Sequence, residues 1–267
     1  MEVVNSQSFI CSRGHCYDLS KYGTLNFSRR EVKTKYDKRL FAARRAICQS
    51  GFYDPLYEII GQRIAMSGSG RLQGVRLLDA GCGEGSHLAA LLDNIAGSTQ
   101  TEPLGVGIDL SKEGIISAAR AYRNSIWCVG DLAHCPFADK GFDYILNILS
   151  PSNYSEFNRM LSREGEVIKV IPGRDYLGEL REQIRKPLNT QAYSNKRTLE
   201  RFTEHFANMD VEHLRYSLPV SSSLLDSLLN MTPLLWRVEE EQVERIRVKG
   251  LQQITVDLTL LCGRLSI

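Results

Sequence analysis

The chain predicts an α/β fold, a doubly wound and mostly parallel sheet with helices on both faces, on three observations. Apolar runs alternate with helical patterns from residue 75 onward, the first run ends in a glycine-rich bend that leads into a helix, and the next two runs each close on an aspartate. The runs at 75–80, 104–109, 126–131, 142–149 and 166–171 read as strands, and the segments 86–95, 112–122, 154–161 and 175–186 read as helices. Two further strands, 211–218 and 252–262, complete a seven-stranded sheet; the last alternates as Ile254, Val256, Leu258, Leu260. Between these two strands lies a helical insert, 221–247, placed to cover the ligand edge of the sheet.

Ahead of that domain, 71–267, the chain divides into two smaller parts. Residues 1–28 show no useful periodicity, hold Cys11, His15 and Cys16 close together, and read as a small separate element. Residues 29–70 read as a basic helical linker: one amphipathic helix over 35–50, a second over 55–66 opened by Pro55, and a Ser-Gly joint at 67–70.

Composition narrows the class. A length of 267 residues suits one main domain with an appendage, and 43% hydrophobic with 24% charged residues is the balance of a soluble protein. No apolar stretch is long enough to span a bilayer, and residues 1–10 have neither the basic nor the apolar region of a secretory signal, so a cytoplasmic location is expected. The seven cysteines are an odd, scattered set and suit reduced thiols. A net charge of +2 does not by itself select a polyanionic partner, but Arg29, Arg30, Lys33, Lys35, Lys38, Arg39, Arg44 and Arg45 face only Glu31 and Asp37 in the same stretch. That block is either a solvated helix face or a phosphate-contacting surface.

The chemistry concentrates at the strand ends. Leu77-Leu78-Asp79-Ala80-Gly81-Cys82-Gly83-Glu84-Gly85 has the spacing G-x-G-x-G, tighter than the G-x-G-x-x-G of dinucleotide sites. It resembles the first motif of class I S-adenosylmethionine (SAM) methyltransferases, a Rossmann-like group whose ligand ends in an amino acid rather than a phosphate. A carboxylate such as Asp79 can receive an ammonium group there. Asp109, followed by Leu110, ends the second strand, where a carboxylate can accept both ribose hydroxyls, and Ser111 is free to cap the next helix. Asp131, beside Leu132, ends the third strand and in such folds contacts the adenine amino group. The fourth strand ends as Asn147-Ile148-Leu149 and runs into Ser150-Pro151-Ser152, the position from which these enzymes address the methyl acceptor. No strong nucleophile stands there; alignment and exclusion of water suffice for a methyl group already activated as a sulfonium.

Longer stretches carry a finer resemblance. Cys11-Ser12-Arg13-Gly14-His15, Asp18 to Gly23, Ala42-Ala43-Arg44-Arg45, Ser50-Gly51-Phe52-Tyr53-Asp54-Pro55-Leu56, Pro172-Gly173-Arg174-Asp175-Tyr176-Leu177-Gly178-Glu179-Leu180 and Met231-Thr232-Pro233-Leu234-Leu235-Trp236-Arg237 together resemble the 23S rRNA guanine-N1-methyltransferases. That family includes the group that methylates the loop near the macrolide site and gives resistance to tylosin-type drugs. The resemblance implies a SAM pocket containing Tyr53, Asp79, Gly81, Gly83, Glu84, Gly85, Asp109, Leu110, Asp131, Leu132, Asn147 and Tyr176. It also implies a 23S rRNA hairpin as substrate, a homodimer, and phosphate contacts from Lys35, Lys38, Arg39, Arg44 and Arg45. Trp236, Tyr176 and Phe137 are candidates to stack on an unstacked base, with core packing as the alternative for each. Guanine N1 carries a proton at neutral pH, so a general base is implied; the sequence does not identify it.

The departure is at the N-terminus. Family members usually hold zinc with C-x-x-C followed by C-x-x-x-H, and only Cys11 and His15 of that set are present, against the four ligands of a closed structural site. A degenerate zinc finger that folds without metal is expected; a site completed by a second chain is the alternative. Two rival functions share the core fold: a small-molecule methyltransferase, and an RNA-binding relative without turnover.

Overall fold

Valine-, isoleucine- and leucine-rich strands buried on both faces form the centre of the computed structural model, which describes residues 2–4, 7–11, 14–28, 36–68, 74–96, 102–184, 195–236 and 238–265. The chain opens with three short strands, β1 (Glu2–Val4), β2 (Ser8–Ile10) and β3 (Cys16–Asp18), paired antiparallel in a small sheet. The next strand, β4 (Thr24–Asn26), leaves that sheet and pairs with the main one. Helices α1 (Lys38–Gln49) and α2 (Asp54–Gly68) follow. Asp37 accepts a hydrogen bond from the Leu40 amide and so caps α1, which therefore starts at Lys38, three residues after the expected position.

Strand and helix then alternate: β5 (Arg76–Ala80), α3 (Ser86–Ala96), β6 (Leu104–Asp109), α4 (Lys112–Ala121), β7 (Ile126–Val129), β8 (Phe142–Ile148), α5 (Tyr154–Met160), β9 (Leu161–Pro172) and α6 (Gly178–Ile184). After α7 (Lys196–Thr203) comes β10 (Asn208–Pro219), then the insert with α8 (Ser222–Met231), a 3-10 turn at Pro233–Leu235 and α9 (Glu240–Lys249), and finally β11 (Gln253–Arg264). The main sheet has the order β10-β11-β9-β8-β5-β6-β7-β4, parallel except where β11 runs against both β9 and β10. All seven residues of β8 are buried, as its central position requires.

All seven expected strands are present, and β4 adds an eighth at the edge beyond β7. Three residues are too short a run to show a period, which is why β4 was not legible. The helix expected over 175–186 begins only at Gly178, and α7 was not expected. The Ser-Gly joint continues α2 as far as Gly68; Ser69 and Gly70 lie outside the described residues, as do Ser12, Arg13, Arg29, Arg30, Lys33, Lys35 and Arg237. Among the described residues no helix is long and apolar enough to cross a membrane.

Two apolar layers cover the sheet. Ile47, Phe52, Ile60, Leu88, Ile115, Leu228 and Ile246 pack α1, α2, α3, α4, α8 and α9 on one face, while Phe157 of α5, Phe202 of α7 and Leu25 of β4 pack on the other. Helix α2 is also fastened electrostatically. Arg63 donates two hydrogen bonds of 2.8 Å to buried Glu166 on β9 and one of 2.6 Å to Asp210 on β10, and Arg264 on β11 donates to the same Glu166 at 3.1 Å. Replacing Arg63 with Met should lower stability by about 3 kcal/mol, the low end for a broken buried pair because Arg264 still holds Glu166. Urea unfolding monitored by circular dichroism measures this, and an unchanged midpoint would show the network to be idle.

Candidate functional site

The bend after β5 is built by glycine because its residues adopt backbone angles and close approaches that a side chain would obstruct. Gly81, Gly83 and Gly85 all have positive φ, at 85°, 57° and 81°. A Cβ on Gly81 would meet Ser150 Oγ at 1.8 Å, and one on Gly85 would meet the Trp127 ring at 2.4 Å, so the bend is pressed between the β8 loop and β7. The amides of Gly81 and Cys82 donate to Ile108 O at 2.9 and 3.1 Å, which holds the bend to the end of β6.

Asp109 joins bend and helix. Its carboxylate accepts from Gly83 N at 2.9 Å and from Ser111 N at 2.7 Å, while the Ser111 side chain caps α4 through Gly114 N. Asp79 sits below, 2% exposed, and among the described residues its Oδ2 has no hydrogen-bond partner. Burial, reinforced by the nearby Asp109 and Glu84 carboxylates and opposed by Arg44, pushes Asp79 up to about 8. Glu84 is equally buried, with Arg44 Nε 4.0 Å away.

A cavity of about 660 Å³ opens beside this bend. Tyr53 from the α1–α2 turn and Tyr176 ahead of α6 share a hydrogen bond of 2.7 Å between their hydroxyls on one wall. His87 stacks edge-on to Tyr53 at 5.0 Å and bonds Tyr57 OH through Nδ1 at 2.9 Å; burial pushes it down to about 3, so it is neutral. Met231, Thr232 and Leu234 from the insert form another wall, and Tyr36 lies at the rim. Leu149 has φ 50°, in the left-handed region, and this turn sends Ser150 to Ser152 along the cavity. Pro151 and Ser152 also line a second, smaller cavity of about 500 Å³ that contains exposed Asp131 and half-buried Leu132.

The expected residues do not all meet. Tyr53, Arg44 and Tyr176 line the larger cavity, and Asp79, Gly81, Gly83, Glu84, Gly85 and Asp109, with Leu110 after it, cluster around the bend. Asn147, grouped by sequence with the ligand contacts, is instead wholly buried. It donates to Ala80 O at 2.7 Å and Pro151 O at 2.9 Å and accepts from Lys169 Nζ at 2.6 Å, which commits its amide to bracing β5, β8 and β9. Lys169 was missed. Its signal was a lone cation inside the apolar run Val167-Ile168-Lys169-Val170-Ile171.

The basic block also divides. Lys38 and Arg39 are exposed, Lys38 lying 3.8 Å from Glu113. Arg44 turns inward toward Glu84, and Arg45 donates to Ser117 O and Oγ, both at 2.8 Å, with its guanidinium over Tyr122. Arg45 thus braces α1 against α4. Phe137 packs edge-on to Phe142 in the core layer, whereas Trp236 is 46% exposed and meets Tyr36 edge-on at 5.5 Å beside the cavity mouth. Cys11 Sγ lies 3.4 Å from His15 Nδ1; among the described residues no group of three or more His, Cys, Asp or Glu is placed to hold a metal.

The buried, unpartnered carboxyl of Asp79 generates a prediction. Between about pH 5 and 7 it is protonated, so a ligand whose ammonium ionises it must release close to one proton on binding. Calorimetry of SAM binding in buffers of different ionisation enthalpy should read that release at pH 6.5 and lose it in Asp79→Asn, with affinity about 10- to 100-fold weaker. Equal release from both proteins would mean Asp79 is not the group.

Residues 77–169 match a family described as a methyltransferase domain. YxjB of Bacillus subtilis (strain 168), assigned as a 23S rRNA (guanine-N1)-methyltransferase, is 42% identical over 98% of this chain and 93% of its own length. The 23S rRNA (guanine(748)-N(1))-methyltransferase of Streptomyces fradiae is 30% identical over 95% of this chain and 90% of its own. A fatty-acid O-methyltransferase of Mycolicibacterium smegmatis (strain ATCC 700084 / mc(2)155) is 33% identical, but over 40% of this chain and 37% of its own.

Proposed function

Since the chain belongs to the 23S rRNA (guanine-N1)-methyltransferases, we propose that it transfers the methyl group of SAM to N1 of a guanine in a 23S rRNA hairpin. The observation that carries this reading is the unpartnered Asp79 carboxyl at the glycine bend, beside a cavity walled by Tyr53, Tyr176 and the insert. Similarity along nearly the whole chain supports an RNA acceptor over a small molecule, because the fatty-acid enzyme shares only about two-fifths of it.

The residues present fit SAM. An orphaned buried carboxyl calls for a cation, and Asp79 would take the amino-acid ammonium beside Gly81, Gly83 and Gly85. Asp109 keeps lone pairs for the ribose hydroxyls, since each of its oxygens accepts one amide. Asp131 and Leu132 would meet the adenine in the smaller cavity, and Tyr53 and Tyr176 would close the side toward the acceptor. When bound, SAM supplies a methyl group activated by its sulfonium. The protein's own work is then to hold the guanine in line, exclude water and receive the N1 proton.

For the RNA, we assign phosphate contacts to Lys38 and Arg39 on the exposed start of α1, continuous in sequence with the basic residues before them, and a stacking surface to Trp236 and Tyr36 at the cavity mouth. Arg44 serves the cofactor side and Arg45 the fold. The chain divides into three parts at residues 28 and 70, with β4 crossing from the first part into the main sheet. Two chains together would offer a broader groove for a hairpin.

Mass mapping of ribosomal RNA from cells with and without the gene tests the activity: one guanine should lose an N1 methyl group in its absence, and identical maps would reject the assignment. Trp236→Ala should weaken binding of a hairpin substrate by about 1–3 kcal/mol while leaving SAM affinity intact. Lys38→Ala and Arg39→Ala should each lower the salt dependence of RNA binding by about one counterion.

A further inference from the structure

Lys169 lies on β9 between Ile168 and Val170, 3% exposed, and lines the larger cavity. Its Nζ donates to Asn147 Oδ1 at 2.6 Å and to Ser150 O at 3.0 Å, and among the described residues no carboxylate pairs with it. A neutral primary amine has two hydrogens and one lone pair in a tetrahedral arrangement. Two acceptors account for both hydrogens, so the third direction holds the lone pair. Asn147 is itself locked by Ala80 O and Pro151 O, which fixes its amide with oxygen toward the lysine.

We propose that Lys169 is the general base of the methyl transfer, its amine held by Asn147 and Ser150 with the lone pair turned to the cavity to take the N1 proton of the guanine. This rests on the guanine-N1 reading above. The N1–H bond breaks and its proton goes to Nζ; the electron pair left on N1 forms the bond to the methyl carbon; the C–S bonding pair stays on sulfur. One positive charge is present before and after, first on the sulfonium and then on the lysine ammonium, which returns its proton to solvent.

Tyr36 lies at the rim, and the ionisable groups deeper in the cavity are unsuited. Arg44 and Arg181 remain cations, burial drives Tyr53, Tyr176 and Cys48 upward so that they stay protonated, and His87 is pushed too low to hold a proton. Around β9, Cys262 on β11 and Tyr154 on α5 are likewise kept un-ionised by burial, while Arg201 and His205 open to the smaller cavity. Burial alone lowers Lys169 to about 8, close to the working pH that suits a base.

Lys169→Met and Lys169→Arg should each lower kcat by about 100-fold or more, with SAM affinity by calorimetry changed by no more than about three-fold. In the unaltered enzyme the rate should rise with pH and level off near 8, and small primary amines should partly restore Lys169→Ala. A readout independent of turnover is the titration of carbon-13-labelled lysine side chains by NMR in the cofactor-free chain. One signal should titrate near pH 8 and be missing from Lys169→Met; if every lysine titrates near its ordinary value of about 10.4, the inference falls, even where the variants fail to fold. Retained turnover in Lys169→Met also overturns it while leaving the guanine-N1 reading intact. Should the unaltered enzyme leave guanine N1 unmethylated on a hairpin substrate, that reading falls and the base falls with it.

Discussion

A carboxyl group buried without a partner is the constraint around which this site is arranged. Asp79 stands at the end of a strand whose neighbours are Leu77, Leu78 and Ala80, all fully buried, and none of the described residues hydrogen-bonds its Oδ2. Such a group is costly as an anion and tolerable only when neutral or when matched by a cation. The bend that follows cannot move away to hydrate it. Gly81 is backed by Ser150 and Gly85 by Trp127, and the Asp109 carboxylate ties Gly83 to the cap of α4. The sheet therefore holds open a demand for positive charge at one fixed point.

The elements outside the sheet wall a cavity beside that point. Helix α1 and the α1–α2 turn bring Arg44 and Tyr53 from one side, and α8 with the 3-10 turn brings Met231, Thr232 and Leu234 from another. These two arrivals depend on each other, because α8 packs against α1. A core sheet shared with small-molecule enzymes thus acquires a cavity whose mouth carries an exposed tryptophan. That combination belongs to the parts of the chain that flank the glycine bend in sequence rather than to the bend itself.

The sheet was legible because seven strands are long enough to show a period or a buried run, and the bend because glycine spacing reports backbone geometry directly. What escaped was decided by tertiary context. β4 has three residues and exists as a strand only by pairing with β7. Arg44 and Arg45 lie in one basic run with Lys38 and Arg39, yet successive helical positions point about 100° apart, so the run that reads as a single cationic face divides between solvent, Glu84 and Ser117. Asn147 occupied the expected strand end, but a side-chain amide there meets two backbone carbonyls before it can meet a ligand. Lys169 was visible as a charge in an apolar strand, and only the fold shows that it has acceptors and a cavity but, among the described residues, no acid.

Asp79 and Lys169 then present one physical problem with two signs. Burial raises the acid and lowers the base, and both arrive at about 8. For Asp79, folded stability is fully present below the unfolded carboxyl value and is lost as pH rises through about 8; for Lys169, it is present above the unfolded lysine value and is lost as pH falls through about 8. No pH relieves both at once, so the fold carries a cost that hydrophobic residues at these positions would remove. A cation bound at Asp79 would relieve the first by ionising it, and the neutral pair so formed leaves the cost at Lys169 in place. The two costs are separate, since neither group perturbs the other directly, and each is met by its own partner: a cation at the acid and a proton donor at the base.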